Sequence, residues 1–412
     1  MKYGCIGEHL QHSFSKEIHN ALADYEYVLR EIPKDELSDF AKRKDFLAIN
    51  VTIPYKELIM PYLYFTDGRA EEIGAVNTVV NRCGKLYGYN TDFYGMTMLA
   101  RHAGVDMVEK KVAILGTGGT SKTASAVAKS LGAKEIIRVS RTAREGAITY
   151  EELYKSHNDT EIIINTTPAG MYPNIFDFSL DIAPFKNLSG VLDAVYNPLR
   201  TPLILSAMER GIAAEGGLYM LVSQAVRASE IFTDTVYPEA VLDGVYKQII
   251  SSKENIVLTG MPASGKSTVG RLLAKDLDRE LVDTDTLIEE RAGKPIPEIF
   301  AQHGEVYFRD LETEVIKDVA KRNGITVSTG GGAILRRENV SALKENGRIY
   351  FIDRPLSALM PTEDRPLAST KEAITKRYNE RYGIYKSTAD VIIDADCDAM
   401  TVAKKIKGSF GI

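Results

Sequence analysis

A glycine-rich stretch that begins at position 260 has the residue types of a phosphate-binding loop. It is Gly260-Met-Pro-Ala-Ser-Gly265-Lys266-Ser267, and it follows a short apolar run, Ile256–Thr259, that predicts a strand. Backbone N–H groups of such a loop surround phosphate oxygens, its lysine contacts the transferred phosphoryl group and assists catalysis, and its serine hydroxyl binds Mg²⁺. The spacing indicates a nucleoside triphosphate site in preference to ordinary turn glycines. The expected nucleotide contacts are Gly260, Ala263, Ser264, Gly265, Lys266, Ser267 and Thr268.

A second glycine loop, Gly116-Thr-Gly118-Gly119, lies far upstream in the chain. The run Val112–Leu115 predicts a strand before it, Ser121–Leu131 predicts a helix after it, and Glu135–Val139 predicts the next strand. Glycines at such a junction let the backbone approach the pyrophosphate of a dinucleotide at the helix N-terminus. We therefore predict that Gly116, Gly118 and Gly119 bind a dinucleotide, with a plain tight turn as the alternative.

The residues after the strand Glu135–Val139 indicate which dinucleotide is preferred. NAD-binding domains place a carboxylate there to hold the ribose hydroxyls, whereas this chain has Ser140-Arg141-Thr142 and then Arg144. Charge-assisted hydrogen bonds to a 2′-phosphate would favour NADP by about 10–100-fold. Two solvated arginines on a surface loop are the alternative.

The composition suits a protein of two or three domains, because 412 residues exceed what a single core accommodates. The net charge of −5 favours neither nucleic acid nor an anionic membrane as a partner. Cys5, Cys83 and Cys397 have no metal-binding spacing, and we expect free thiols. No apolar run is long enough to span a membrane and no signal-peptide pattern begins the chain, so a cytoplasmic location is expected.

Strand and helix patterns alternate along the chain, which predicts α/β layers with mostly parallel sheets. The pattern restarts at Lys111 and again after the polar segment Ser251–Glu254, which we expect to be a short joint. The main domain boundary is therefore predicted near residue 252. Further buried strands are expected at Phe46–Val51, Ile162–Ile164, Val191–Leu192, Glu280–Val282 and Ile325–Val327.

Seven motifs follow one another over residues 1–250. They are His12-Ser13-Phe-Ser15 with Ile18-His19-Asn20, Asn50-Val-Thr-Ile-Pro-Tyr-Lys56-Glu, Gly74-Ala-Val-Asn77-Thr78, Gly88-Tyr-Asn90-Thr-Asp92, Asn165-Thr-Thr-Pro-Ala-Gly-Met171, Asp193-Ala-Val-Tyr196 and Gly217-Leu-Tyr-Met-Leu-Val-Ser-Gln224-Ala. In this order they resemble shikimate dehydrogenase. The resemblance implies a substrate-binding domain in residues 1–100, completed by helices at about 218–250, and a Rossmann NADP-binding domain in residues 101–217.

The same resemblance assigns roles to individual side chains. It implies that Lys56 and Asp92 form the catalytic pair, and an ammonium beside a carboxylate suits proton delivery to a forming alkoxide. Taken alone, Lys56 is better explained as a solvated lysine after a proline turn, and Asp92 as a helix cap, which is a common role for aspartate. The other implied contacts are Ser13 and Ser15 with the substrate carboxylate, Asn77, Asp92 and Gln224 with ring hydroxyls, Tyr196 with the substrate, and Met171 with the cofactor.

Residues 253–412 contain a second ordered set of motifs. They are the phosphate loop, Asp283-Thr-Asp285, Phe300-Ala-Gln-His-Gly304-Glu305-Val-Tyr-Phe308-Arg309-Asp-Leu-Glu312 and Ser328-Thr-Gly330-Gly331-Gly332. This set resembles shikimate kinase. The resemblance implies that Asp285 binds the ring hydroxyls and accepts a proton, Arg309 pairs with the substrate carboxylate, Gly330, Gly331 and Gly332 pack against the substrate, and Asp283 assists Mg²⁺. Ion pairing of Arg309 along its helix, and capping of a helix at Thr286–Glu290 by Asp285, are the alternatives.

The segment expected to cover the nucleotide departs from the family pattern. Arg365-Pro-Leu resembles the lid motif over ATP, and Arg381 resembles a second arginine for the substrate carboxylate. Glycine occupies position 383 where the family usually has proline, the segment from Pro355 to Arg365 is short, and Arg354-Pro-Leu repeats the lid tripeptide.

Together these patterns predict three α/β parts: an N-terminal substrate domain, a Rossmann NADP domain, and a P-loop parallel domain like that of the nucleoside monophosphate kinases. The expected activity is NADPH-dependent reduction of 3-dehydroshikimate to shikimate, followed by ATP- and Mg²⁺-dependent phosphorylation of shikimate. An NAD(P)-dependent quinate/shikimate dehydrogenase fused to a degenerate or regulatory kinase-like domain is the alternative. Self-association into a homo-oligomer is left open.

Overall fold

The computed structural model describes residues 1–10, 13–173, 175, 180–359 and 370–411. Its backbone contacts divide the chain into two compact units, Met1–Ile249 and Ile250–Ile412. The division falls inside a helix, Glu239–Lys253, and the first three residues of the segment expected as a polar joint, 251–253, form the last turn of that helix. Lys253 lies in the last turn of this helix, where its positive charge interacts favourably with the helix dipole. A polar segment of this kind is therefore compatible with a helix end and not only with a loop.

The first sheet of the N-terminal unit is mixed. Its strands are β1 (Tyr3–Gly7), β2 (Tyr27–Glu31), β3 (Ala48–Val51), β4 (Phe65–Thr66), β5 (Thr78–Arg82) and β6 (Lys85–Tyr89), in the order β2-β1-β3-β5-β6-β4. β1 runs parallel to β2 and β3, whereas β5 is antiparallel to β3 and β6. The helices are α1 (Ser15–Leu22), α2 (Leu37–Arg43), α3 (Tyr55–Leu58), α4 (Gly68–Ile73) and α5 (Asp92–His102). The strand predicted from Phe46 begins at Ala48, where pairing with β1 begins.

The second sheet is entirely parallel. Its strands are β7 (Lys111–Leu115), β8 (Glu135–Ser140), β9 (Ile148–Thr149), β10 (Ile162–Asn165), β11 (Gly190–Asp193) and β12 (Ala213–Glu215), in the order β12-β11-β10-β7-β8-β9. The accompanying helices are α6 (Gly119–Ser130), α7 (Tyr150–Ser156) and α8 (Pro202–Glu209). The strand order reverses between β7 and β10, and ligands of open α/β sheets bind at that position.

Helix α9 (Leu218–Thr233) packs against α1 and α5, and helix α10 (Glu239–Lys253) follows it. The approach of α9 to α5 is close because position 95 is glycine. A Cβ atom at Gly95 would lie 2.6 Å from the carbonyl oxygen of Met220, which is shorter than van der Waals contact. Glycine at this position therefore lets α9 carry Gln224 towards the start of α5.

The second unit is built on one parallel sheet. Its strands are β13 (Asn255–Thr259), β14 (Leu281–Asp283), β15 (Thr326–Ser328), β16 (Gly347–Asp353) and β17 (Val391–Asp394), in the order β14-β15-β13-β16-β17. Its helices are α11 (Lys266–Asp276), α12 (Thr284–Ala292), α13 (Ile296–Ala320), α14 (Arg337–Asn346), α15 (Lys371–Thr388) and α16 (Ala399–Phe410). The predicted α/β class with mainly parallel sheets is thus confirmed, with strand bounds shifted by one or two residues.

Apolar residues of β13 alternate between two clusters, one on each face of this sheet. Ile256 and Leu258 pack with Val269 and Leu273 of α11, whereas Val257 packs with the cluster around α13. This period of two is what a strand with both faces covered requires. Over the part of the chain that the structure describes, none of the helices combines the length and apolar character needed to cross a bilayer.

Candidate active sites

The first site centres on an ion pair between two elements of the N-terminal unit. Lys56 lies on the single turn α3 and Asp92 is the first residue of α5. The Nζ atom of Lys56 lies 2.6 Å from Oδ2 of Asp92, and the two side chains are 15% and 7% exposed. Lys56 is therefore not a solvated surface lysine, and the Asp92 carboxylate is directed to Lys56.

Three further polar side chains, those of Asn77, Thr91 and Gln224, are hydrogen-bonded to one another, and Thr91 directly precedes Asp92. The amide nitrogen of Asn77 donates to Oγ1 of Thr91 at 3.0 Å and to Oε1 of Gln224 at 3.4 Å. Asn77 directly precedes β5, Thr91 is the N-cap residue of α5, and Gln224 lies in the middle of α9. The structure thus brings the predicted hydroxyl-binding residues together in one buried cluster.

Ser13, Ser15 and Tyr196 form a second group of the predicted substrate residues. Oγ of Ser13 donates to Oγ of Ser15 at 3.0 Å, and the Tyr196 ring packs 5.2 Å from that of Phe14. Burial raises the pKa of Tyr196 to about 12, so its phenol stays protonated and able to donate at neutral pH. His12, which precedes this group in the sequence motif, lies outside the described residues.

A cleft of about 1100 Å³ lies beside the Lys56–Asp92 pair. Lys56 itself lines it, together with residues that follow the central strands of the second sheet. The predicted cofactor residues that line this cleft are Gly116, Gly118, Gly119, Ser140, Arg141, Thr142, Arg144 and Met171. Thr166 and Thr167, which follow β10, line it as well and were not predicted. The cleft therefore lies at the reversal of strand order between β7 and β10.

The glycine loop is shaped by close approach to the neighbouring strand end. Gly116 has a φ of +117°, and a Cβ atom there would lie 2.7 Å from Oγ1 of Thr166. Gly119 begins α6, two residues earlier than predicted, so the helix N-terminus faces the cleft. A Cβ at Gly119 would lie 3.9 Å from Cβ of Lys56, so the loop and the lysine are neighbours.

The two arginines after β8 are exposed at this cleft. Nη1 of Arg144 lies 3.5 Å from Oγ1 of Thr117 in the glycine loop, at the outer limit of a hydrogen bond. Arg141 and Arg144 therefore border the space that the loop faces, although both remain on the surface.

Three apolar side chains face the cleft although they are exposed. Ile53, Leu58 and Met171 are 70%, 39% and 45% exposed, and all three line the cleft. Exposed apolar groups that converge on a cavity are typical of ligand sites. Ile53 and Leu58 were not predicted as site residues, because isolated apolar residues beside a proline carry no periodic signal.

The phosphate loop of the second unit contains three residues with positive φ. The values are +153° for Gly260, +65° for Ala263 and +95° for Gly265. Such turns direct successive N–H groups to one side, which forms an anion-binding concavity. Nζ of the buried Lys266 donates to the carbonyl oxygens of Gly260 and Met261 at 2.9 Å each.

Ser267 and Asp283 meet at the carboxyl edge of the parallel sheet. Oγ of Ser267, in the first turn of α11, donates to Oδ2 of Asp283, the last residue of β14, at 3.2 Å. Oδ1 of Asp283 also accepts from the backbone N–H of Asp285, so Asp283 is the residue that caps α12. Capping by Asp285 was the alternative to a binding role, and α12 begins at Thr284 instead of Thr286.

A second cavity, of about 390 Å³, adjoins these residues. Phe300 and Phe308 form part of its apolar wall. The predicted residues that line it are Asp283, Asp285, Arg309, Gly330, Gly331, Gly332 and Arg381. Glu289, Glu312 and Arg377 also line it and were not predicted.

The glycine run allows the charged side chains to approach the sheet edge. A Cβ atom at Gly330 would overlap Oδ1 of Asp285, and one at Gly332 would overlap the guanidinium of Arg309. The carbonyl oxygen of Gly331 accepts hydrogen bonds from Nη1 of Arg381 at 3.0 Å and from the Tyr385 hydroxyl at 2.5 Å. Glycine is thus required here by the lack of space.

Arg309 is 8% exposed and makes ion pairs along its own helix. Its Nη1 donates to Glu312 at 2.7 Å and its Nη2 to Glu305 at 3.3 Å. Burial raises the pKa of Glu312, and the adjacent Arg309 opposes that rise. The alternative of a helix ion pair is therefore realised, but the pair is buried at the cavity and not on a solvated helix face.

The lid residues are only partly described. Arg365, with the rest of its tripeptide, lies outside the described residues. Arg354, from the repeated tripeptide, lies beside the phosphate loop, since a Cβ atom at Gly265 would be 3.8 Å from its Nη1. Among the described residues, no three His, Cys, Asp or Glu side chains group together as a metal site of their own.

Family models match both parts of the chain. The model described as the shikimate dehydrogenase substrate binding domain matches residues 5–79, and the model described as shikimate kinase matches residues 262–409.

Individual relatives cover the two parts separately. The NADP(+) shikimate dehydrogenase of Clostridium perfringens is 36% identical over 265 residues, which are 60% of this chain and 97% of that relative. The shikimate kinase of Clostridium beijerinckii is 43% identical over 159 residues, 38% of this chain and 94% of that relative. The crystal structure of shikimate dehydrogenase 1 from Peptoclostridium difficile is 36% identical, with a TM-score of 0.56, and covers 60% of this chain and 98% of its own. The chain therefore belongs to the shikimate dehydrogenase family and, in its C-terminal part, to the shikimate kinase family, as a fusion of two enzymes.

Proposed function

We propose that the N-terminal unit reduces 3-dehydroshikimate to shikimate with NADPH and that the C-terminal unit phosphorylates shikimate at its 3-hydroxyl with ATP. The observation that carries the proposal is that each unit contains a cavity lined by the side chains that its reaction requires. A nearly buried lysine–carboxylate pair borders a dinucleotide-type cleft in one unit. A phosphate loop borders a cavity lined by arginines and aspartates in the other. The product of the first reaction is then the substrate of the second.

In the reduction, Lys56 supplies the proton. Bound NADPH supplies a hydride when present, and the carbonyl oxygen then gains negative charge. The Lys56 ammonium stabilises that charge and donates a proton to the oxygen, while Asp92, 2.6 Å away, keeps the ammonium oriented. Low exposure of both side chains strengthens these interactions, because little water screens them.

The other polar groups of the first site orient the substrate. Ser13, Ser15 and the protonated Tyr196 donate hydrogen bonds to its carboxylate, while Asn77 and Gln224 bind ring hydroxyls. Arg141 and Arg144 favour a 2′-phosphate on the cofactor, and Ser140 and Thr142 lie beside them at the same cleft. Met171 contributes an apolar surface for the nicotinamide.

In the kinase unit, Asp285 accepts the proton of the attacking hydroxyl. Lys266 neutralises charge on the transferred phosphoryl group, which ATP supplies when bound. Arg309 and Arg381 orient the acceptor through its carboxylate, and the backbone of Gly330, Gly331 and Gly332 forms the adjoining wall. Backbone N–H groups of the four residues from Ala263 to Lys266, Ser264 included, surround the phosphates, and Gly260 and Thr268 contribute further nucleotide contacts.

Ser267 and Asp283 suit Mg²⁺. Both present hard oxygen ligands and lie 3.2 Å apart at the phosphate loop. Mg²⁺ takes few protein ligands and keeps waters and phosphate oxygens, so two groups suffice. We therefore propose that Ser267 binds the ion directly and that Asp283 binds it directly or through water.

The test is one incubation of the full chain with 3-dehydroshikimate, NADPH, ATP and Mg²⁺. NADPH absorbance and ADP release are followed together, and ADP is expected only after reduction has begun. Supplying shikimate directly should give ADP without NADPH. Oxidation of NADPH without ADP release, even with added shikimate, would contradict the kinase half of the proposal, and preference for quinate and NAD would contradict the reductase half.

A further inference from the structure

A third arginine, Arg377, faces the acceptor cavity of the kinase unit. It lies on α15 one helical turn before Arg381, and both side chains line the cavity with Arg309. Residues four apart on a helix lie on the same face, so the two guanidinium groups are neighbours. Three cationic side chains therefore converge on a space of about 390 Å³.

The hydrogen-bond donors of the three arginines are not equally used. Arg309 donates to Glu312 and Glu305, and Arg381 donates to the carbonyl of Gly331. Nη1 of Arg377, in contrast, is buried and has no hydrogen-bond partner in the described part of the chain. A buried donor without a partner costs free energy, and that cost is recovered when a ligand supplies an acceptor.

The electrostatic surroundings of Arg377 also favour an incoming anion. Burial and the neighbouring positive charge of Arg381 lower its pKa, and Arg309 adds to this effect, whereas Glu380 and Glu305 oppose it. The charged groups lining the cavity are Asp283, Asp285, Glu289, Glu312, Arg309, Arg377 and Arg381. The four carboxylates belong to β14, α12 and α13, whereas α15 contributes two arginines and no carboxylate to the lining. An anion in the cavity is therefore attracted to the α15 side.

We propose that Arg377 is a third binding residue for the carboxylate of the acceptor, and that it makes the cavity selective for a carboxylic acid over its neutral analogues. The inference rests on the proposed kinase function. Arg309 would keep its ion pair with Glu312, while Arg377 gives the bound carboxylate a donor that is free of an internal partner. The planar guanidinium group of arginine can donate two parallel hydrogen bonds to a carboxylate, whereas the ammonium group of lysine acts as a point charge.

The test compares shikimate with its methyl ester in the wild-type chain and in Arg377→Gln, Arg377→Lys and Lys376→Gln. Lys376 is exposed on the same helix and matches the charge lost. In Arg377→Gln, we expect the KM for shikimate to rise about 10–100-fold, with kcat and the KM for ATP changing less than about threefold. The KM or inhibition constant of the ester should change less than about threefold, and Arg377→Lys should recover part of the loss.

The comparison of shikimate with its methyl ester distinguishes binding of the carboxylate from binding of the transferred phosphoryl group, which also enters this cavity. If Arg377→Gln lowers kcat equally for acid and ester, Arg377 serves the phosphoryl group and the inference is wrong. If Arg377→Gln keeps the wild-type melting temperature and its preference for shikimate over the methyl ester is unchanged, the inference is also wrong. Failure of the wild-type chain to phosphorylate shikimate would instead contradict the proposed function, so the two failures are distinguishable.

Discussion

Lys56 donates a hydrogen bond to Asp92 at 2.6 Å across 36 positions of sequence. The lysine is held on the short turn α3, and the aspartate begins α5, whose position depends on close packing against α9 at Gly95. Because both side chains are largely buried, each is the main compensation for the charge of the other. Removal of either one changes the site more than removal of a surface ion pair would.

Replacement of Lys56 by alanine should abolish the reductase and spare the kinase. Loss of the proton donor is expected to lower kcat for 3-dehydroshikimate by at least about 100-fold. Kinase kcat with added shikimate should stay within about twofold of wild type. Steady-state rates of both reactions measure this directly, with exposed Lys42→Ala as a matched control.

Because Lys56→Ala leaves Asp92 buried without its ion-pair partner, we expect the variant to have a lower melting temperature, which is measured alongside the rates. A folded variant that loses both activities would show that the sites depend on one another, which the proposal does not predict.

Replacement of Arg141 and Arg144 by alanine should reduce the preference for NADP over NAD. Each side chain that hydrogen-bonds a 2′-phosphate contributes a factor of about 10–100 to the ratio of kcat/KM values. We expect this ratio to fall mainly through a higher KM for NADPH, with the rate using NADH unchanged. Lys129→Ala, an exposed lysine near the end of α6, is the control. An unaltered ratio in the double variant would mean that the arginines are solvated.

Replacement of Gly332 by alanine should damage the acceptor site of the kinase. The added Cβ would overlap the guanidinium of Arg309, so Arg309 must move away from the cavity. The KM for shikimate should rise at least about 10-fold, since charge-assisted bonds to the carboxylate weaken. Gly408→Ala in α16 meets no atom within 4 Å and should have no effect on KM. Wild-type kinetics in Gly332→Ala would place Arg309 outside acceptor binding.

The three cysteines should differ in their reaction with a thiol reagent at pH 8. Burial raises the pKa of Cys5 to about 12, so only on the order of one in 10,000 Cys5 side chains is a thiolate at that pH. Cys83 is exposed and Cys397 half-buried. We expect two thiols to react in the native chain and the third only after denaturation.

The assignment of the slow thiol uses Cys83→Ser with Cys397→Ser, which should remove the native reaction completely. A rapid reaction in that double variant would show that Cys5 is accessible beside the Lys56–Asp92 pair.

The local sequence predicted the strands that precede both glycine loops and the residue types of both sites, but it predicted a joint where the last turn of α10 lies. Apolar runs followed by glycines predicted β7 with its loop and β13 with its loop, because a strand-to-helix turn around phosphate requires positive φ and free N–H groups. The bounds shifted where pairing or capping decided them, as at Ala48 and at Thr284. Such shifts reflect hydrogen bonds to distant residues, which no local pattern contains.

Only the tertiary structure decided which of these residues meet. Ser267 contacts Asp283 because β14 and β13 end at the same edge of a parallel sheet with β15 between them. Arg377 had no motif of its own, and it became a candidate because α15 places it against the cavity beside Arg309. Hydrophobic periodicity specifies which face of an element is buried, but the partner across that face depends on sheet order and helix packing, which the whole chain determines together.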